Sequence, residues 1–293
     1  MRRKSNRLRQ RPLREDFLRR KNSACSHGKT QASKVTLGGH SSRVKIPWGS
    51  SREVRVNQGN VIEVRHVNRI FPVAGGTFQA LTDINLEIPE GSLAILKGRS
   101  GSGKTTLLNI LGALDKPSSG KVYIDGKDIG ELSEYAREEL RRKQMGFVFQ
   151  AVSLIPAMNA YQNVEFSMRM AGIRDNRRKR VEECLKMVGL GGRLRHMPAE
   201  MSGGEQQRVA IARALAHGPR IIFADEPTAE LDSAMGAEVV RLFKEMCAKE
   251  HVTIVMTTHD VGLMDAGDII IELANGQRVM EHPKEGQGEN KNG

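Results

Sequence analysis

No uninterrupted apolar run in these 293 residues approaches the roughly 20 needed to cross a bilayer, so any membrane role must come through a partner. Aromatic residues are few, and there is no internal repeat, no heptad run and no apolar core of a secretory signal. The three cysteines, Cys25, Cys184 and Cys247, are widely separated and fit no metal-ligand spacing. An odd, unframed set of thiols suits a reducing compartment, where a buried Cys is a small apolar side chain. What is present is an apolar fraction large enough for a sizeable core, in a chain that can hold one large domain or two small ones.

The formal charge of +12 suggests a nucleic-acid partner until it is divided along the chain. Residues 1–56 hold sixteen Lys or Arg against Glu15, Asp16 and Glu53, so the remainder carries a net charge of −1. The leading segment has few aliphatic residues and no sustained period. It cannot bury a core and is expected to be a disordered basic tail over 1–57. A solvated tail, or a start site chosen too early (no Met lies between Met1 and Met145), is favoured over an Arg- and Ser-rich transit peptide. Residues 283–293 read as a short polar tail.

Between the tails, 58–282 reads as one α/β domain. Short alternating runs at Val61–Val64 and Ile84–Ile88 suggest strands, and Pro89-Glu90-Gly91 a turn. Continuous apolar runs at 92–97, 220–225 and 253–257 suggest buried parallel strands. Helices are expected near 103–111 and 236–249, and a hairpin over 269–279. From about Ser133 to Leu215 the pattern is helical apart from a strand at Gly146-Phe147-Val148-Phe149 ahead of Gln150, which suggests a helical lobe over 150–215 inserted between core segments 58–149 and 216–282.

Gly98-Arg99-Ser100-Gly101-Ser102-Gly103-Lys104-Thr105 satisfies G-x-x-x-x-G-K-[ST], after a strand and at the start of a helix. Glycines let backbone amides wrap a phosphate chain as an anion nest at a helix N-terminus. Lys104 would reach the outer phosphates, and Thr105 would ligate Mg²⁺, with Thr106 following it into the helix. The partner motif is the strand Ile221–Ala224 ending in Asp225 and Glu226. Asp225 would lie beside the metal and Glu226 would polarise the attacking water. An ordinary strand ending in a solvated acidic turn is the plain alternative for that second motif, and its pairing with the phosphate loop argues against it.

Met201-Ser202-Gly203-Gly204-Glu205-Gln206-Gln207-Arg208 contains an S-x-x-E capping box whose glycines leave first-turn amides open to an anion. It is by itself a well-capped helix start. The segment closely resembles the signature motif of ATP-binding-cassette proteins, with Met201 and Glu205 where that family usually has Leu and Gln. The resemblance covers about residues 61–281 and implies a P-loop NTPase core with an antiparallel β subdomain and an inserted α-helical subdomain. It implies ATP and Mg²⁺ as cofactors, Lys104, Glu226 and His259 as catalytic residues, and Thr105, Gln150 and Asp225 around the metal. It implies that Phe71 stands where the family places an aromatic against adenine, and that Ser202, Gly203, Gly204 and Glu205 meet the γ-phosphate held by the opposite subunit. Ala229-Glu230-Leu231-Asp232 resembles the loop that crosses the dimer interface.

The runs 77–81, 109–115 and 146–150 look most similar to the lipoprotein-releasing and macrolide-export cassettes. The resemblance therefore implies a head-to-tail homodimer, or a pair with a related cassette, working at the cytoplasmic face with a separately encoded membrane permease. No direct nucleic-acid contact is expected from the folded domain. The alternatives are a cassette that transmits force in cell division or mechanotransmission, a soluble cassette acting on ribosomes or nucleic acid, and a slow nucleotide-dependent scaffold.

Overall fold

A computed structural model describes residues 59–279, together with the backbones of two strands, β1 (Ser42–Lys45) and β2 (Glu53–Val56). These two pair antiparallel from Ser42↔Val56 to Lys45↔Glu53. A paired hairpin inside the segment expected to be a featureless tail is a difference from the sequence reading. Its strands alternate Arg43/Val44/Lys45 and Glu53/Val54/Arg55, a period-2 pattern too short to stand out in a run dominated by charge. The rest of that tail and the residues beyond 279, including the polar 283–293, lie outside the described residues.

The domain opens with a long hairpin, β3 (Asn60–Val73) and β4 (Gly76–Pro89). Then come β5 (Leu93–Lys97), α1 (Lys104–Leu111), β6 (Ser119–Ile124) and β7 (Lys127–Asp128). After α2 (Glu134–Gln144), β8 (Met145–Val148) returns the chain to the core. The helical segment follows as α3 (Ala160–Met170), α4 (Arg177–Met187) and α5 (Gly203–Ala216). The chain closes through β9 (Ile221–Ala224), α6 (Ser233–Glu250), β10 (Thr253–Thr258), β11 (Ile269–Ala274) and β12 (Gln277–Arg278).

Two sheets result. One is antiparallel, ordered β4-β3-β6-β7; the other is ordered β12-β11-β5-β10-β9-β8, parallel throughout except for the β11–β12 hairpin. The parallel strands β5, β9 and β10 are buried almost throughout and mainly apolar because both faces are covered. Leu93 and Ile95 of β5 point into one core, with Ile222 and Ala224 of β9 and Ile254 and Met256 of β10. That core also takes in α3, α4, α5 and α6. The alternate residues Ala94, Leu96, Ile221, Phe223 and Val255 face a second core, which holds α1 and the inner side of the antiparallel sheet. Strand periodicity of two thus assigns neighbouring residues to opposite layers.

The strand expected at 146–149 is present as β8, which forms the edge of the parallel sheet through Met145↔Ile221 to Val148↔Ala224. The first strands are longer than their apolar runs, because β3 and β4 continue past Val67 as backbone pairing between exposed residues, with register shifts after Val64. Among the described residues no helix is long and apolar enough to cross a membrane.

Candidate functional site

The carboxyl ends of adjacent parallel strands carry the site, the usual location for ligands in an open α/β sheet. β5 runs into the loop 98–103, β9 into Asp225 and Glu226, β10 into His259, and β8 towards Gln150. Sheet order brings these ends side by side although up to 161 positions separate them in sequence.

The loop after β5 requires glycine at its two ends. Gly98 has φ 151° and Gly103 φ 102°. A Cβ at Gly98 would stand 2.3 Å from the Leu273 carbonyl, and one at Gly103 would stand 2.9 Å from that of Ala80. Helix α1 then begins with no side-chain cap and no acid in its first turn, so its leading amides and dipole are available to an anion. Inside the loop the buried Ser102 hydroxyl has no hydrogen-bond partner. Lys104, only 5% exposed, donates its ammonium to the carbonyls of Gly98 (2.8 Å) and Arg99 (3.1 Å). An unpaired buried hydroxyl, an uncapped helix start and a desolvated ammonium form a cradle that fits a phosphate chain. Arg99 and Ser100 are exposed, as is Gly101, while Thr106 is half-buried.

Across this loop, Thr105 donates its hydroxyl to Asp225 Oδ1 at 3.1 Å. Thr257 donates to the same oxygen at 2.7 Å and accepts the Glu226 amide at 2.8 Å. A carboxylate and a hydroxyl facing each other at a phosphate loop make an all-oxygen donor set, suited to a hard cation such as Mg²⁺. Glu226 has φ 44°, a left-handed conformation uncommon outside glycine. Its carboxylate lies 3.9 Å from Lys104 Nζ and 3.1 Å from His259 Nδ1. Thr257 had no role in the sequence reading. Its signal was a hydroxyl at the end of an otherwise apolar buried run.

Not every expected residue joins this group. Gln150 is exposed and makes no hydrogen bond among the described residues. Phe71 pairs across the hairpin with the exposed Phe78 and is half-buried, and the Arg69 guanidinium lies 4.2 Å from its ring centroid. Arg69 is itself held in bidentate fashion by Asp115.

Ser202, Gly203, Gly204 and Glu205 start α5, and no described hydrogen bond or ion pair links them to Lys104, Asp225 or Glu226. The expected capping box is present: Ser202 Oγ accepts the Glu205 amide at 3.3 Å, and Glu205 Oε2 accepts the Ser202 amide at 2.9 Å. Hydrogen bonding from the Ser202 backbone, aided by nearby Arg193, holds the Glu205 carboxyl below the usual carboxylate range. Gly203 is open on all sides, whereas Gly204 is buried, and a Cβ there would stand 1.8 Å from Met235 Cε, so no larger residue fits at that position without a shift of Met235.

The family model described as "ABC transporter" matches residues 81–229, a span that includes the phosphate loop, the capping box and the Asp225–Glu226 pair. This chain belongs to the ABC transporter family. An uncharacterized ABC transporter ATP-binding protein, MJ0796 of Methanocaldococcus jannaschii, is 43% identical over 231 residues, 77% of this chain and 98% of that protein. The macrolide export ATP-binding/permease protein MacB of Wolinella succinogenes is 44% identical over 221 residues, 75% of this chain but 34% of MacB. A solved dimeric structure of MJ0796 in a post-hydrolysis state, bound to ADP and Pi, superposes with a TM-score of 0.69 at 42% identity, covering 75% of this chain and 97% of that one. The P-loop fold with its antiparallel subdomain, the resemblance to export cassettes and the assignment as a transport ATPase are all borne out at this level.

Proposed function

We propose that two copies of this cassette close head to tail around two molecules of Mg-ATP and drive a separate membrane permease of the export or lipoprotein-release kind. The observation that carries this reading is the convergence of Lys104, Thr105, Asp225, Glu226 and His259 on one face of a glycine-framed phosphate loop. The dimeric ADP-bound state of MJ0796 and the fused permease named in MacB support it.

In this reading the amides of 98–105 and Lys104 hold the β- and γ-phosphates. Lys104 exchanges the carbonyls of Gly98 and Arg99 for phosphate oxygens, so its desolvated charge never lacks a partner. Thr105 and Asp225, with Gln150 approaching from the end of β8, hold Mg²⁺, which supplies charge neutralisation at the phosphates. Glu226 orients the attacking water and takes up its proton, and His259, on the far side of that carboxylate, stabilises the charge developing on the γ-phosphate. Phe71 supports the adenine. Ser202, Gly203, Gly204 and Glu205 bring a second helix N-terminus to the same γ-phosphate from the opposite chain. Residues 58–149 and 216–282 act as the nucleotide-binding core and 150–215 as the lobe that moves the permease, at the cytoplasmic face of the membrane. The folded domain, nearly neutral without its basic leader, has no call for a nucleic-acid partner.

Glu226→Gln keeps the shape and the Lys104 contact while removing the proton acceptor. The expected result is ATP binding within about twofold of the parent, hydrolysis reduced about 10²-fold or more, and a mass in light scattering that doubles with ATP and stays doubled. Hydrolysis at the parental rate with binding intact would remove Glu226 from the mechanism.

A further inference from the structure

The start of α5 and the loop after Glu226 are fastened together twice. Gln207, 2% exposed and one turn into α5, donates its side-chain amide to the Pro227 carbonyl at 2.8 Å. Pro227 directly follows Glu226. Four residues further on, the loop delivers Leu231 and the N-cap Asp232, whose carboxylate accepts the Met235 amide at 2.8 Å. Met235 in turn fills the space beside Gly204, with Leu231 Cδ2 also close to where a Cβ would stand.

Between these fastenings the loop is a series of turns. Ala229 donates to the Glu226 carbonyl at 3.1 Å and Leu231 to that of Thr228 at 3.1 Å. Gly236, at the start of α6, lies against the Thr228 side chain. There is no slack element between the Glu226 backbone and the Ser202–Glu205 turn.

We infer that Gln207, with Met235 as its second point of contact, is a positioning residue that couples the two ATP sites of the dimer. The inference rests on the head-to-tail reading above. There, Ser202–Glu205 of a chain touch the nucleotide held by the partner, while Glu226 of that chain works on its own nucleotide. A helix start drawn in by the partner's γ-phosphate pulls on Pro227 through Gln207 and so sets the backbone of Glu226, already held at φ 44°. Hydrolysis in each site thereby depends on occupancy of the other. Gln207 Oε1 is buried and without a partner, so the side chain is committed to this contact by its donor end alone. Removing the donor strands the Pro227 carbonyl, a loss of about tenfold in whatever equilibrium the bond supports.

The test uses the full chain and Gln207→Leu, which keeps the apolar packing and deletes the donor. Three quantities are read: ATP affinity at low protein concentration, ATP-dependent dimerisation by light scattering, and the ATP dependence of hydrolysis. The parent is expected to show a Hill coefficient approaching the limit of two sites. The variant should bind ATP within about twofold of the parent, hydrolyse it about tenfold more slowly, and show a Hill coefficient near one. Parental rate and cooperativity in Gln207→Leu would overturn the inference and leave the head-to-tail reading standing. A parent that does not dimerise with ATP would overturn both. Gly204→Ala and Gly204→Ala/Met235→Ala give an independent arm, since shortening Met235 should restore most of the cooperativity that the added methyl removes. Absence of rescue, with both proteins folded by circular dichroism, counts against the coupling.

Discussion

Single residues show most clearly what was legible in the chain. Lys104, Thr105, Asp225, Glu226 and Ser202 could be assigned roles from contiguous text because each belongs to a short motif whose local geometry, loop or cap, determines what its neighbours can bind. Thr257, Gln207 and Met235 could not, because their importance comes from contacts with residues up to 32 positions away. His217 is the C-cap of α5. It also carries a prediction. Its Nε2 lies 3.0 Å from the Met145 carbonyl and its Nδ1 has no partner, so Nε2 bears the single proton of a neutral ring. Burial pushes its pKa down from the ordinary 6.5 to about 4, and the nearby Arg180 adds to that effect. Because the folded pKa is the lower one, the unfolded chain takes up the proton first as pH falls below 6.5. Stability therefore declines from that point towards pH 4, with about 2 kcal/mol lost by roughly pH 5. Urea denaturation should show that loss in the parent and a much smaller one in His217→Gln. Equal losses in the two proteins would show that His217 titrates normally.

At the scale of elements, what could be read depended on how far a pattern ran. β5, β9 and β10 are continuous apolar runs and were identifiable as buried parallel strands. β8 has four residues, too few for a period of its own, and the apolar Phe147-Val148 ahead of Gln150 mark it within the helical text around it. The outer half of the β3–β4 hairpin carries exposed Ile70, Val73 and Phe78, so nothing in its burial marks it as strand; backbone pairing alone extends it. Packing between elements likewise depends on distant partners. Arg180 of α4, 2% exposed, donates to Glu250 at the end of α6 at 2.9 Å and to the carbonyls of Leu215 and Ala216 at the end of α5. It joins three helices at one point. Glu250→Ala removes the carboxylate from that junction and leaves the carbonyl acceptors in place, so the expected cost is about 2 kcal/mol, below that of a buried ion pair stripped completely. Thermal unfolding should show a clear fall in Tm with ATP affinity unchanged. A variant as stable as the parent would mean that the partners left to Arg180 satisfy it without Glu250.

At the scale of the whole molecule, the fold explains why a chain with no membrane-crossing helix among its described residues belongs to a transporter family. The parallel sheet gathers Lys104, Thr105, Asp225, Glu226 and His259, the proposed phosphate-binding and catalytic groups, at its carboxyl edge. The capping box, the remaining expected phosphate ligand, begins α5 and is not hydrogen-bonded to that set. In the proposed head-to-tail arrangement a single copy has two half-sites, and each is completed by a second copy. The sharpest measurement is a structure of the Glu226→Gln protein with Mg-ATP. The account predicts a dimer in which Ser202 of the partner subunit lies within about 3 Å of a γ-phosphate oxygen cradled by Lys104. A nucleotide-loaded protein with every Ser202 remote from every γ-phosphate would contradict it.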